Sequence, residues 1–224
     1  MMADAIGHDA CVRIVAFGDS TTAVREGMTV YADLLAKAWQ GRTPSIEVIN
    51  AGVRGNHTDH AVARLDVDVL AHQPAIVIIR FGINDSAIDV WQEPPAVDPR
   101  VPLAKFRQNL ALIVEQVIAV GAVPVLCTPN LLSWSELTLS LYGKSPYRPE
   151  DADGFNVTLR EYVAEIRQFA MQQGLPLVDV DAAFRQFPSD IVPPWHELLL
   201  DGMHPNDRGQ ELAAALLLPV LEKY

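Results

Sequence analysis

The chain is short of three things, and each shortage removes a class of protein. It has two cysteines in 224 residues, too few for a small domain held together by disulfides. It has no apolar run approaching the roughly 20 residues that a membrane-spanning helix needs. It also lacks positive charge: 17 Lys and Arg stand against 28 Asp and Glu, for a formal net charge of −11. Nucleic acids and anionic membranes are held by basic surfaces, so neither is an expected partner. The first ten residues include Asp4, His8 and Asp9 and show no basic-then-apolar leader. With few thiols and no visible leader, the chain reads as cytoplasmic. The rest of the composition is that of an ordinary globular protein, with half the residues hydrophobic and 20% charged. This length buries a full core, and no shift in composition divides residues 1–224, so one domain is expected.

Short β-branched runs alternate with longer amphipathic segments. The runs 12–17, 46–50, 75–81, 123–128 and 175–180 read as buried strands. Between them, Tyr31, Leu34, Leu35, Ala38 and Trp39 share one helical face, and Gly41 follows as a stop. Phe106, Leu110, Ile113, Val114, Val117 and Ile118 make the clearest stripe, ended by Gly121. Another runs from Phe155 to Phe169, ended by Gly174, and a weaker helix spans 58–70. A last helix begins near Asn206, a good N-cap. Strand alternating with helix implies an α/β fold: a three-layer α/β/α, flavodoxin-like, doubly wound parallel sheet of five strands in the order 2-1-3-4-5. In that order Cys11 and Cys127 lie in or beside strands that are not neighbours, so both are expected as buried, reduced thiols. The connections 84–102 and 129–154 are long, and loops of that length are functional or mobile.

Four blocks of residues stand out, three after the first three strands and one just before the last helix. In Gly18-Asp19-Ser20-Thr21 a hydrophobic run ends in Gly, and a serine follows where a helix should begin. Such a turn exposes the hydroxyl near backbone N–H groups; by itself it also reads as a simple helix cap. It is not the α/β-hydrolase elbow, which needs Gly where Thr22 stands. In Asp201-Gly202-Met203-His204-Pro205, an Asp three residues before a His can orient the imidazole, and Pro205 holds the turn outside a helix. Asn50-Ala51-Gly52 and Gly82-Ile83-Asn84-Asp85 can supply N–H donors for a developing oxyanion, Gly52 from its backbone and Asn84 from its side chain.

Taken together and in order, these blocks resemble the GDSL esterases, or SGNH hydrolases, over roughly residues 12–219. The one departure is Thr21 where the family's short name has Leu. The resemblance implies Ser20 as nucleophile, His204 as general base and acid, and Asp201 orienting His204. It implies an oxyanion hole of Ser20, Gly52 and Asn84, the same flavodoxin-like fold, hydrolysis of carboxylic esters, and no metal or cofactor. The favoured substrates are short acyl esters, acetyl above all, on carbohydrate or small alcohols. A lysophospholipase or thioesterase is the alternative within hydrolases. A non-catalytic binding module is the alternative outside them, and a flavin or phosphate binder lacks the Lys of a phosphate loop. Further candidate substrate contacts are Asp19, Arg54, Trp91, Trp134 and Trp195, although Arg54 could equally pair with a loop carboxylate and each aromatic could anchor its own loop. His57 and His60 lack a third ligand at a recognisable spacing, so no metal is expected there. Oligomeric state is not legible.

Overall fold

The computed structural model describes residues 11–224; the leader expectation concerns residues 1–10 and lies outside the described residues. Strands β1 (Val12–Gly18), β2 (Ile46–Gly52), β3 (Ile76–Arg80), β4 (Val123–Cys127) and β5 (Leu177–Val178) pair in parallel, in the order β2-β1-β3-β4-β5. Gly18 stands opposite both Gly52 and Arg80, so the first three strands end level with one another.

Side chains alternate across this sheet. Ile14, Ala16, Ile78 and Val125 enter one core, and Val15, Phe17, Ile79 and Leu126 enter the other. The first core is closed by α1 (Tyr31–Ala38), α7 (Val180–Arg185) and α8 (Asp207–Leu221). The second is closed by α2 (Thr58–Asp68), α4 (Leu103–Ala119) and α6 (Leu159–Gln173). Burial on both faces explains why the strands read as unbroken apolar runs. On α4, Phe106, Leu110, Ile113, Val114 and Val117 are all buried, and fully burying side chains of this size contributes roughly 1.5–3 kcal/mol each.

Two expectations need correction. The fifth strand is only two residues long, because the Asp179 carboxylate accepts the Ala182 N–H and starts α7 where a longer strand was expected. Cys127 is buried as expected, but Cys11 lies just before β1 and is exposed. The two long connections carry short helices, α3 (Ile83–Ser86) and α5 (Glu136–Tyr142). They also share an apolar cluster of their own, in which Ile88, Leu132, Tyr142, Tyr147 and Phe155 are buried. These connections are packed walls. No helix among the described residues is long and apolar enough to cross a membrane.

Candidate active site

The polypeptide leaves β1 in a tight turn. The Asp19 carbonyl accepts N–H bonds from Thr22 and Ala23, and its carboxylate takes the Thr21 N–H and hydroxyl at 2.8 Å each. Ser20 is held at the tip of this turn. On the far side of the site, Asp201 Oδ1 accepts the backbone N–H groups of Met203 at 3.0 Å and His204 at 2.9 Å. Asn130 and Ser135, from the connection after β4, donate to the Met203 and Asp201 carbonyls. Gln210 of α8 joins the two halves: its amide donates to the Thr21 carbonyl and accepts the Tyr31 N–H.

The result is a chain of close contacts across 184 positions of sequence. His204 Nε2 lies 3.0 Å from Ser20 Oγ, and His204 Nδ1 lies 2.7 Å from Asp201 Oδ2. With Nδ1–H donating to the carboxylate, the Nε2 lone pair faces the serine hydroxyl. Burial pushes the Asp201 carboxyl up, but the bonds from the His204 ring, the His204 N–H and the Met203 N–H outweigh it. They hold Asp201 well below the usual carboxylate range.

Asn84, at the start of α3, is fixed at both ends of its amide. Its Nδ2 donates to the Asn56 carbonyl at 3.0 Å, and its Oδ1 accepts from Arg100 at 2.9 Å. One N–H of the amide therefore remains for a ligand. Arg100 is locked in turn by a bidentate pair with Asp89, with contacts of 2.7 and 2.9 Å. Asp85 faces inward: it accepts both the N–H and the hydroxyl of Thr58, tying α2 to the end of β3, and burial pushes its pKa up to about 6.

The expected donor Gly52 is not free. Its N–H donates to Asn50 Oδ1 at 2.9 Å, and a Cβ built there would come within 2.2 Å of the Ala23 nitrogen. Gly52 lets β2 pass close against the Ser20 turn. Gly55 takes the open position instead. It lines the crevice with Ser20, Asn84 and His204, and its φ of +73° favours glycine. Neither its N–H nor that of Ser20 finds an acceptor among the described residues. The second glycine of Gly52-Val53-Arg54-Gly55 was the available sequence signal.

Asp19 is buried at 1% exposure and serves the turn, so it does not reach a substrate; burial raises its pKa against the Thr21 bonds and the charge of Arg80. Trp134 stacks on Phe155 and donates to the Asp151 carbonyl, while Trp195 donates to the Leu132 carbonyl. Trp91 is half exposed and bonds to Asp89. None of the three lines the crevice. Arg54 does line it, along with Arg25, which sequence reading missed. Also missed was Arg64, whose guanidinium donates to the carbonyls of Gly18 and Ala51 and to Asn56, binding together the ends of β1, β2 and the Gly55 loop. The rings of His57 and His60 pack at 3.8 Å, and no cluster of three or more metal-ligating side chains gathers among the described residues.

A serine, histidine and aspartate bonded in series at the carboxyl edge of a parallel sheet is the geometry of a serine hydrolase. Residues 16–212 match the model of the GDSL-like lipase/acylhydrolase family, and the chain belongs to that family, whose chemistry is acyl-ester hydrolysis. It is 35% identical over 51% of its length to the uncharacterized lipoprotein YqeF of Bacillus subtilis, a match that spans 47% of that protein. It is 27% identical to an acetylxylan esterase of Geobacillus stearothermophilus, over 77% of this chain and 71% of the relative. With the isoamyl acetate-hydrolyzing esterase of Saccharomyces cerevisiae it shares 24% identity, over 94% of this chain and 83% of the relative. Among solved structures, a lipase/acylhydrolase from Enterococcus faecalis matches with a TM-score of 0.71 and 27% identity, covering 95% of this chain and 96% of the other.

Proposed function

We propose that the protein hydrolyses short-chain acyl esters, acetyl esters above all, of carbohydrates or small alcohols. Ser20 is the nucleophile, His204 the general base and Asp201 the group that orients it. The reading rests on the 3.0 Å approach of His204 Nε2 to Ser20 Oγ. As Oγ attacks the acyl carbon, its proton passes to Nε2 and the carbonyl electron pair moves onto oxygen. That oxyanion is met by the N–H groups of Ser20, Gly55 and Asn84. Collapse expels the alcohol, which takes the proton from His204. A water molecule, deprotonated by the same His204, then releases the acyl group from Ser20.

Chain length is read from the acyl side. A cavity of about 40 Å³ shares Ile83, Asn84, Arg100, Tyr142 and Met203 with the crevice. On the scale where one water needs about 10–15 Å³, it takes a few heavy atoms, which suits a short acyl chain. Two of the relatives carry names that specify acetate esters, which supports the same reading. The test is an ester panel on wild type and Ser20→Ala. Acetyl esters should be cleaved faster than octanoyl, and the variant should lose roughly 10⁶-fold in kcat. Wild-type-like turnover by Ser20→Ala would remove the serine from its role, and an octanoyl preference would overturn the acyl assignment.

A further inference from the structure

Ten of the thirteen arginines form ion pairs with Asp or Glu. The other three are Arg80, Arg25 and Arg54. Arg80 is buried at 1% exposure beneath the site, bonded to Asn130. Arg25 and Arg54 are accessible, and both line the crevice that contains Ser20. They stand close together: Arg54 reaches the carbonyl of Val24, the residue before Arg25. No carboxylate is among the residues lining the crevice, and its third arginine, Arg100, is neutralised by Asp89. In a chain of net charge −11, the two accessible arginines without a partner among the described residues therefore meet at one opening.

The sheet order says which side of a substrate they face. Arg25 follows β1 and Arg54 follows β2, while the acyl-side walls follow β3 and β4 or come from the His204 turn. The acyl-side cavity is small, and the one cation that lines it, Arg100, is already paired with Asp89, so the two free cations lie on the alcohol side. Net negative charge repels an anion at long range, but screening confines that repulsion to about 8–10 Å. Within the crevice the nearest charges decide, and two guanidinium groups match the planar oxygens of a carboxylate or phosphate.

We infer that the alcohol part of the substrate carries an anionic oxygen group, a carboxylate or a phosphate, held by Arg25 and Arg54. This inference rests on the ester-hydrolase reading above. The test uses 4-acetoxybenzoate and 4-acetoxybenzamide, which differ by one charge on the leaving alcohol, with 4-acetoxyphenyl phosphate as a further arm. Each kcat/KM is divided by that ester's own rate of alkaline hydrolysis. The anionic esters should be preferred, and the stronger of the two names the group. Arg25→Gln and Arg54→Gln should each lower the anion-to-neutral ratio about tenfold, the value of one charged hydrogen bond. Arg54→Lys should retain part of the ratio, and Arg42→Gln, at the opposite edge of the sheet, should leave it alone. Ser20-dependent cleavage with no preference for either anion, or a ratio unmoved by both Gln variants, overturns the inference while the hydrolase reading stands. Absence of Ser20-dependent cleavage of all three esters overturns both.

Discussion

At the amino edge of the sheet, a cavity of about 240 Å³ is walled by Val12, Trp39, Pro44 and Ile46, and its Arg42 and Glu222 meet at 2.6 Å. At the carboxyl edge, a crevice of about 460 Å³ holds Ser20, Asn84 and His204. Both are openings of useful size. They differ in what their polar groups have left to give. The amino-edge ion pair is spent on itself, and the Trp39 indole N–H, though without a partner among the described residues, is sealed from solvent. At the carboxyl edge the N–H groups of Ser20 and Gly55 and one amide hydrogen of Asn84 have no partner among the described residues, and two guanidinium groups have no carboxylate partner there. Donors that face an opening without a protein partner can serve a ligand, so a cluster of them marks a site better than volume does.

The contrast can be broken in order of expected effect. Asn84→Ala should cost about 10²–10³ in kcat, as loss of one oxyanion donor does; steady-state kinetics showing an unchanged kcat would make the amide no more than a turn residue. Asp85 carries a buried carboxylate oxygen without a partner. Its folded pKa of about 6 lies above the ordinary aspartate value of 3.8. The folded state therefore binds more protons between these values, and the contribution of Asp85 to stability is lost as pH rises from about 4 to 6. Urea midpoints followed across that window should fall less steeply in Asp85→Asn, by on the order of 1–3 kcal/mol over the range. A slope parallel to wild type would contradict the buried, protonated carboxyl. Arg100→Met should lower kcat about tenfold with KM little changed, because Arg100 aims the Asn84 amide; a rise in KM alone would make it a substrate contact. At the amino edge, Arg42→Ala should change stability by less than about 1 kcal/mol, as exposed pairs do, and leave kcat as it was. A loss of activity there would mean that the two ends are coupled.

The strands were legible because both faces are buried: Val15 to Phe17 and Ile76 to Ile79 cannot alternate with polar residues when helices cover each side. Ser20 and His204 were legible because each sits in a local turn whose residues specify it, Asp19 and Thr21 for one, Asp201 and Pro205 for the other. Gly52 was misread as a donor and Gly55 passed over, because what distinguishes them is a bond to Asn50 and the approach of Ala23 across the sheet edge. For Trp134 and Trp195 the sequence left substrate contact and loop anchoring both open, and the structure shows anchoring: their indole N–H groups are taken by carbonyls at 151 and 132. Arg100 lies 16 residues from the amide it holds, within a proline-rich connection that has no periodicity to read.

The order of elements, the parallel sheet and the choice of Ser20 and His204 as candidates followed from the sequence by itself, since apolar periodicity and tight turns are interactions among residues a few positions apart. Which glycine N–H faces the crevice, how Asn84 is aimed, and that Arg25 and Arg54 lack a carboxylate partner among the described residues were decided only by the tertiary structure. Each depends on whether a donor or charge meets a partner from a distant segment, and chain folding alone brings those segments together.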